Sequence, residues 1–268
     1  METKREKAKN FIIIGAVLII FSICVIQLND NIIQTTAEAE NNKTIGWGIK
    51  RGEKNMQPDV GASNKQLLEE NGGICLGSEL EKVIYLTFDE GYEAGYTESI
   101  LNTLKENEVK ATFFITAHYL NTASDLVARM IKEGHIVGNH TVNHPSMPSI
   151  SNEKIEEEIM QLHQSVYEKF NYEMKYIRPP KGEFNERTLK KTFELGYKTV
   201  MWSFAYVDWD EKNQPSIEKS QETIINNFHC GEIMLLHPNS KTNAEVLDTI
   251  IEEGKSQGYE FKSLDEFK

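Results

Sequence analysis

From Lys82 to the C-terminus, short runs rich in β-branched and aromatic residues alternate with amphipathic stretches, and this alternation constrains the fold more than any other feature. Strands are expected at residues 83–88, 111–116, 135–139, 176–178, 199–203, 233–236 and 259–261. Helical periodicity fills the intervals at 99–106, 124–132, 152–170, 186–195, 217–228 and 243–257. Gly134, Gly196 and Gly258 close three of these helices, because glycine takes up the left-handed conformation that ends a helix at little steric cost. Parallel strands need a crossover, usually a helix, so seven strands with six intervening helices imply parallel β/α units. Such units form either a barrel smaller than the eight-unit form or an open doubly wound sheet. In both, catalytic groups sit at the C-terminal ends of the strands.

The reactive residues fall at those ends. Asp89 and Glu90 follow the first expected strand, and His140 and His144 the third. Arg178 ends the fourth, Asp208 lies past the fifth, and His237 closes the sixth. Each has a bland reading. Acids such as Asp89-Glu90 are common at helix starts, and two histidines four apart occur on exposed loops. Together, two histidines and a carboxylate match a catalytic zinc site that keeps an open position for water. The Arg178-Pro179-Pro180-Lys181-Gly182 run makes a rigid turn that can hold a permanent charge beside a carboxylate and keep it ionised. Asp208-Trp209 either lies at the surface or orients a histidine and walls a sugar site. His237 is the best candidate general acid. Glu156-Glu157-Glu158 and Glu252-Glu253 read as solvated helix faces.

The N-terminus differs in kind. Lys4, Arg5, Lys7 and Lys9 precede an uncharged apolar run at 11–28, long enough at 1.5 Å per residue to reach across a hydrocarbon core. The basic flank favours an inside N-terminus, so the expected layout is a basic cytoplasmic segment at 1–10 and a transmembrane signal-anchor at 11–28. A polar tether at 29–54, an extension at 55–80 and a catalytic domain at 81–268 follow. A cleaved signal peptide is the rival reading. The formal net charge of −12 and the lack of a basic tract exclude a general nucleic-acid binder. Cys24, Cys75 and Cys230 cannot make a disulfide scaffold; Cys75 and Cys230 are expected to be separate buried thiols.

Five stretches then carry a resemblance: Thr87-Phe88-Asp89-Glu90-Gly91, His140-Thr141-Val142-Asn143-His144, Arg178 to Gly182, Asp208-Trp209 and Leu235-Leu236-His237. In this order they resemble the motifs of polysaccharide deacetylases of the NodB-homology family. The chain is most similar to the delta-lactam-biosynthetic de-N-acetylases of spore cortex peptidoglycan. Residues 46–51, 91–96, 129–140 and 241–247 support that narrower likeness.

The resemblance implies a distorted, TIM-like (β/α)₇ barrel and metal-dependent hydrolysis of a glycan N-acetyl group. By position Asp89 is the general base, held by Arg178, and His237 is the acid, tuned by Asp208. His140 and His144 bind a divalent ion, zinc first, with cobalt, nickel and manganese as alternatives. Glu90 stands where most relatives have a ligand Asp and is expected to reach the metal weakly. Trp209, Tyr92, Phe184 and Pro179 are assigned to the substrate, with the Phe184 region offering a backbone N–H to the oxyanion.

The expected function is deacetylation of N-acetylmuramic acid in peptide-stripped peptidoglycan, outside the cytoplasm, by a single-pass membrane protein. The alternatives are an N-acetylglucosamine deacetylase of wall or chitin-like glycan and a non-catalytic glycan-binding relative. A need for an accessory protein is left open.

Overall fold

The computed structural model describes residues 43–268. The expected anchor at 11–28, the basic segment before it and most of the tether lie outside the described residues. Among the described residues no helix is long and apolar enough to cross a membrane.

The elements run β1 (Ile45–Gly46), α1 (Ala62–Glu70), β2 (Val83–Glu90), α2 (Thr97–Glu106), β3 (Thr112–Ile115), α3 (Ala117–Thr122), α4 (Ser124–Lys132) and β4 (Ile136–Asn139). They continue with α5 (Asn152–Phe170), β5 (Tyr176–Ile177), β6 (Glu183–Phe184), α6 (Glu186–Glu194), β7 (Lys198–Thr199), α7 (Ile217–Ile225), β8 (Glu232–Leu236), α8 (Lys241–Ser256) and β9 (Glu260–Phe261). The expected helices at 124–132 and 152–170 are found with those bounds. The sequence pattern does not reveal α1, α3 or the short pair β1–β6.

The main sheet is parallel, in the order β7-β5-β4-β3-β2-β8, with β9 pairing to the start of β2. The strand expected at 199–203 leaves the ladder after Thr199 and crosses to β8, where Phe204 pairs with Met234. Beside that crossing, Ile74 pairs with Val200, and the Gly77 N–H donates to the Gly231 carbonyl at 2.7 Å. The ring is therefore closed by a bent segment and by residues of the N-terminal extension, not by a seventh regular strand. The packed region also begins well before Lys54: β1 pairs antiparallel with β6, and Trp47 Nε1 donates to the Trp202 carbonyl at 2.8 Å.

Side chains alternate faces along a strand, and β2 sorts its residues accordingly. Ile84, Leu86 and Phe88 pack outward with Ile100, Leu104 and Ile250 of the helical layer. Val83 and Tyr85 pack inward with Phe114 and Ile233. A strand buried on both faces is what a helix-covered parallel sheet requires, which is why 83–88 reads as a continuous apolar run. Inside the ring, a Cβ on Gly138 would stand 2.5 Å from the Phe114 ring. The absent side chain lets that ring fill the centre, and truncating Phe114 would cost about 3–5 kcal/mol.

Helix α5 starts at Ser151, whose side chain accepts from the Lys154 N–H, and ends at Asn171 in the left-handed conformation. It buries Ile155, Ile159, Leu162 and Val166, and in the same stripe Glu158.

Candidate active site

Asp89 is the penultimate residue of β2, and its parity matches that of the inward-facing Val83 and Tyr85. Its Oδ1 accepts from Arg178 Nη1 at 2.8 Å. Burial alone would raise the Asp89 pKa, but the Arg178 guanidinium, aided by His140 and His237, outweighs it and holds the carboxyl below its ordinary value. Arg178 is fully buried; its Nε donates to the Val200 carbonyl at 3.1 Å, and its guanidinium lies 4.4 Å from the Phe114 ring centroid. The strand supplies the carboxylate and the barrel interior supplies its counter-charge.

His140 follows β4 directly. Its Nδ1 donates to the Arg178 carbonyl at 2.8 Å, which leaves the Nε2 lone pair free. That Nε2 stands 3.1 Å from His144 Nε2 and 3.7 Å from Asp89 Oδ2. Burial lowers the pKa of both imidazoles, that of His144 to about 4, so both are neutral at pH 7. Thr141 and His144 have φ of 68° and 56°, left-handed values that non-glycine residues adopt only when held there. Asn139 Oδ1 accepts from the Thr141 N–H, and the Glu158 carboxylate accepts from both the Asn143 N–H and its side-chain amide, each at 2.7 Å. The expectation of a solvated Glu158 is corrected here. It is buried because it lies three residues past Ile155 and four before Leu162, within the apolar stripe.

Two imidazole nitrogens on one tetrahedral zinc stand roughly 3.3 Å apart, given Zn–N bonds of about 2.0–2.1 Å. The 3.1 Å separation, the free lone pair on His140 and the neutrality of both rings fit a divalent ion. Among the described residues no group of three or more His, Cys, Asp and Glu is placed to hold a metal. His140 and His144 are the residues whose geometry fits such an ion.

Glu90 does not join them. Its parity is that of the outward-facing residues, and its Oε1 accepts from Thr97 Oγ1 of α2 at 3.3 Å. Burial, then the neighbouring Glu93 carboxylate, pushes its pKa well above the ordinary value. With its carboxyl on the far face of the strand and bonded to Thr97, Glu90 stands apart from the histidine pair, which departs from the placement expected from the motif.

His237 follows β8. Its Nδ1 donates to Asp208 Oδ1 at 2.8 Å, and its backbone N–H donates to Oδ2 at 2.9 Å. Asn243 of α8 donates to the same Oδ2 at 2.6 Å and to the His237 carbonyl at 3.0 Å, a positioning role the sequence does not signal. Burial opposes the imidazolium, but Asp208 outweighs it, so the His237 pKa is raised. The Trp209 indole meets the His237 ring edge-on, with centroids 5.7 Å apart.

These groups open into one cavity of about 810 Å³, which Asp89, His140, His144 and His237 all line. Trp209 and Tyr92 line it as expected, and the Tyr92 hydroxyl bonds Glu211 and accepts from Asn239 at 2.9 Å. Phe184 and Pro179 do not. The Phe184 side chain is fully buried with Trp47 and Cys75, and Pro179 is buried at the start of the turn that carries Lys181 and Gly182 to the cavity. Trp202, Arg51 and Lys181 also line it, and of these the sequence pattern gives Trp202 no mark at all. Cys75 and Cys230 are free thiols, as expected, but only Cys75 is buried; Cys230 is half-buried.

A polysaccharide deacetylase family model matches residues 77–200. The chain is 43% identical over 231 residues to the peptidoglycan-N-acetylmuramic acid deacetylase PdaA of Bacillus subtilis (strain 168), spanning 86% of this chain and 88% of that protein. It is 35% identical over 189 residues to a peptidoglycan-N-acetylglucosamine deacetylase of Bacillus cereus, spanning 69% and 88%. The solved structure of Bacillus subtilis PdaA, described as a family 4 carbohydrate esterase, aligns with a TM-score of 0.82 over 84% of this chain and 97% of that one. An ionised carboxylate, a neutral histidine pair and a carboxylate-backed imidazole, gathered at the strand ends of such a fold, make the conclusion plain: the chain belongs to the polysaccharide deacetylase family.

Proposed function

We propose that this chain removes the acetyl group from N-acetylmuramic acid residues of peptide-stripped peptidoglycan. The freed amine then stands beside the lactyl ether, placed to close the muramic delta-lactam of spore cortex. The observation that carries the reading is the opposition, across one cavity, of an Arg178-paired Asp89 and an Asp208-backed His237. The likeness to PdaA supports the choice of sugar.

An acetamide is a weak electrophile with a poor leaving group, so hydrolysis needs a base, polarisation and an acid. A divalent ion held by His140 and His144, zinc in this reading, supplies Lewis acidity to the carbonyl and lowers the pKa of water when bound. Asp89 Oδ1 is committed to Arg178, which leaves Oδ2 to take the proton of the attacking water. His237 carries its proton on the ring nitrogen not bound to Asp208 and delivers it to the amide nitrogen as the C–N bond breaks. Asp208 stabilises the imidazolium and fixes its orientation. Trp209 walls the sugar site and excludes water on that side.

The run at 11–28 behind four basic residues would hold the protein in the membrane with this domain outside the cytoplasm. Fractionation and external protease treatment of intact cells test that part; a mature protein beginning after residue 28 would refute it. The test of function is mass spectrometry of peptide-stripped glycan incubated with the full chain and Zn²⁺ or Co²⁺. Loss of acetyl from muramic acid is expected. Loss confined to glucosamine, or activity on chito-oligosaccharides alone, would overturn the reading.

A further inference from the structure

We propose that Arg51 binds the free carboxylate of the substrate's lactyl ether and so selects muramic acid residues from which the peptide has been removed. The assignment rests on the muramic acid reading above and names the group that would enforce it.

Arg51 comes from the segment before the catalytic domain, at the end of the 46–51 stretch and outside the five ordered motifs, yet it lines the same cavity as Asp89, His140 and His237. Its backbone is anchored: the preceding Lys50 exchanges two backbone hydrogen bonds with Asp59, at 2.8 and 2.9 Å. Its side chain is held as well. Nη2 donates to the Ala205 carbonyl at 3.0 Å, and the guanidinium lies 5.6 Å from the Phe204 ring centroid. Ala205 belongs to the segment that continues to Asp208 and Trp209, so Arg51 is tied to the strand end that positions His237.

The charge distribution points the same way. Asp89 is the sole acidic residue among the described lining residues, and Arg178 neutralises it. Arg51 forms no ion pair among the described residues, and the lining includes a second cation, Lys181. In a chain of net charge −12, the residues that line this cavity thus carry two cations besides Asp89, although Glu211 approaches it through the Tyr92 hydroxyl. One Arg51 donor is used on Ala205, and a guanidinium has five in a fork that matches a carboxylate.

The substrate's chemistry supplies the ligand. In N-acetylmuramic acid the ether arm sits on the carbon next to the one bearing the acetamide, so its terminal group reaches the cavity that holds the amide. With the peptide attached, that terminus is a neutral amide. Once the peptide is gone it is a carboxylate. N-acetylglucosamine offers only a hydroxyl there. A cation at this position therefore reads both the sugar and its prior processing by an amidase.

The test is a cycle between one protein charge and one substrate charge. Initial rates of acetate release by the full chain are measured on peptide-stripped glycan and on the same glycan with its lactyl carboxylates methyl-esterified, for wild type, Arg51→Gln and Arg51→Lys. On free-acid glycan, Arg51→Gln should lower kcat/KM about tenfold to hundredfold, chiefly through KM, with Arg51→Lys losing less. Esterification should cost the wild type a similar factor and cost Arg51→Gln far less. An equal loss from Arg51→Gln on both glycans, or no loss on either, would overturn the assignment. A wild-type chain that deacetylates only chito-oligosaccharides would instead overturn the muramic acid reading itself.

Discussion

Asp89 and Glu90 are consecutive on β2, and their carboxyl groups occupy opposite electrostatic worlds. Asp89 meets a buried guanidinium at 2.8 Å that holds its pKa below the ordinary value; Glu90 meets a threonine hydroxyl at 3.3 Å, and burial pushes its pKa well above the ordinary value. The pleat of the strand separates them by turning successive side chains to opposite faces.

Replacing Glu90 by Gln should therefore change little at the histidine pair. The amide preserves the shape of the buried carboxyl and an oxygen to accept from Thr97. Calorimetric titration of the full chain with Zn²⁺ should give an affinity within about threefold of wild type, well short of the 10–100-fold loss typical even of groups that act through a ligand. His140→Ala should abolish binding. Equal losses in the two variants would place Glu90 on the metal.

Asp89→Asn should affect activity and stability together. Losing the base should lower acetate release by about 10²–10⁴. Arg178 is fully buried, so the substitution also strands a charge. Breaking a buried pair costs about 3–5 kcal/mol, and the Asn carbonyl, a neutral acceptor, keeps the loss near the lower end. In thermal unfolding this corresponds to a fall of about 6–12 °C. An unchanged Tm would mean that water or another acceptor replaces the carboxylate.

Asp208→Asn should move the alkaline limb of the pH–rate profile. Asp208 raises the His237 pKa, and the protonated imidazole is the active form, so activity in the wild type persists up to that raised value and falls above it. Without the carboxylate, burial prevails and the pKa drops. The limb then moves to lower pH. At a fixed pH above it, the acid form becomes about tenfold scarcer each time the His237 pKa falls by one. The measurement is kcat against pH for both proteins; a limb that stays in place would remove His237 as the titrating acid.

Glu158→Ala should weaken metal uptake although Glu158 touches no ligand directly. Its carboxylate fixes Asn143, which leads into the left-handed His144. Releasing the loop should cost about 10–100-fold in metal affinity, with Glu158→Gln intermediate because it keeps one acceptor. Wild-type affinity in Glu158→Ala would show that Asn139 and Thr141 suffice to hold the loop.

Much of the site is legible in the sequence because its groups sit at strand ends, and strand ends are local events. Asp89, His140, Arg178 and His237 each follow a short β-rich run, and the polarity change marks the spot. Glu158 is obscured by two exposed neighbours, although its spacing from Ile155 and Leu162 already places it on the buried stripe. The motif turn suggests substrate contacts for Phe184 and Pro179, whereas packing against Trp47 takes the Phe184 ring into the interior.

The sequence by itself determined the succession of strands and helices, the parallel β/α class and the placement of Asp89, Glu90, the histidine pair and His237 at strand ends. These follow from periodicity and backbone preference, which act within a few residues. Only the tertiary structure decided which of two adjacent carboxyls faces the histidines, how the ring closes through Phe204 and Ile74, and that Arg51 shares a cavity with residues far along the chain. Those outcomes depend on which distant segments pack together, and burial energy has no period in the sequence from which the partner can be read.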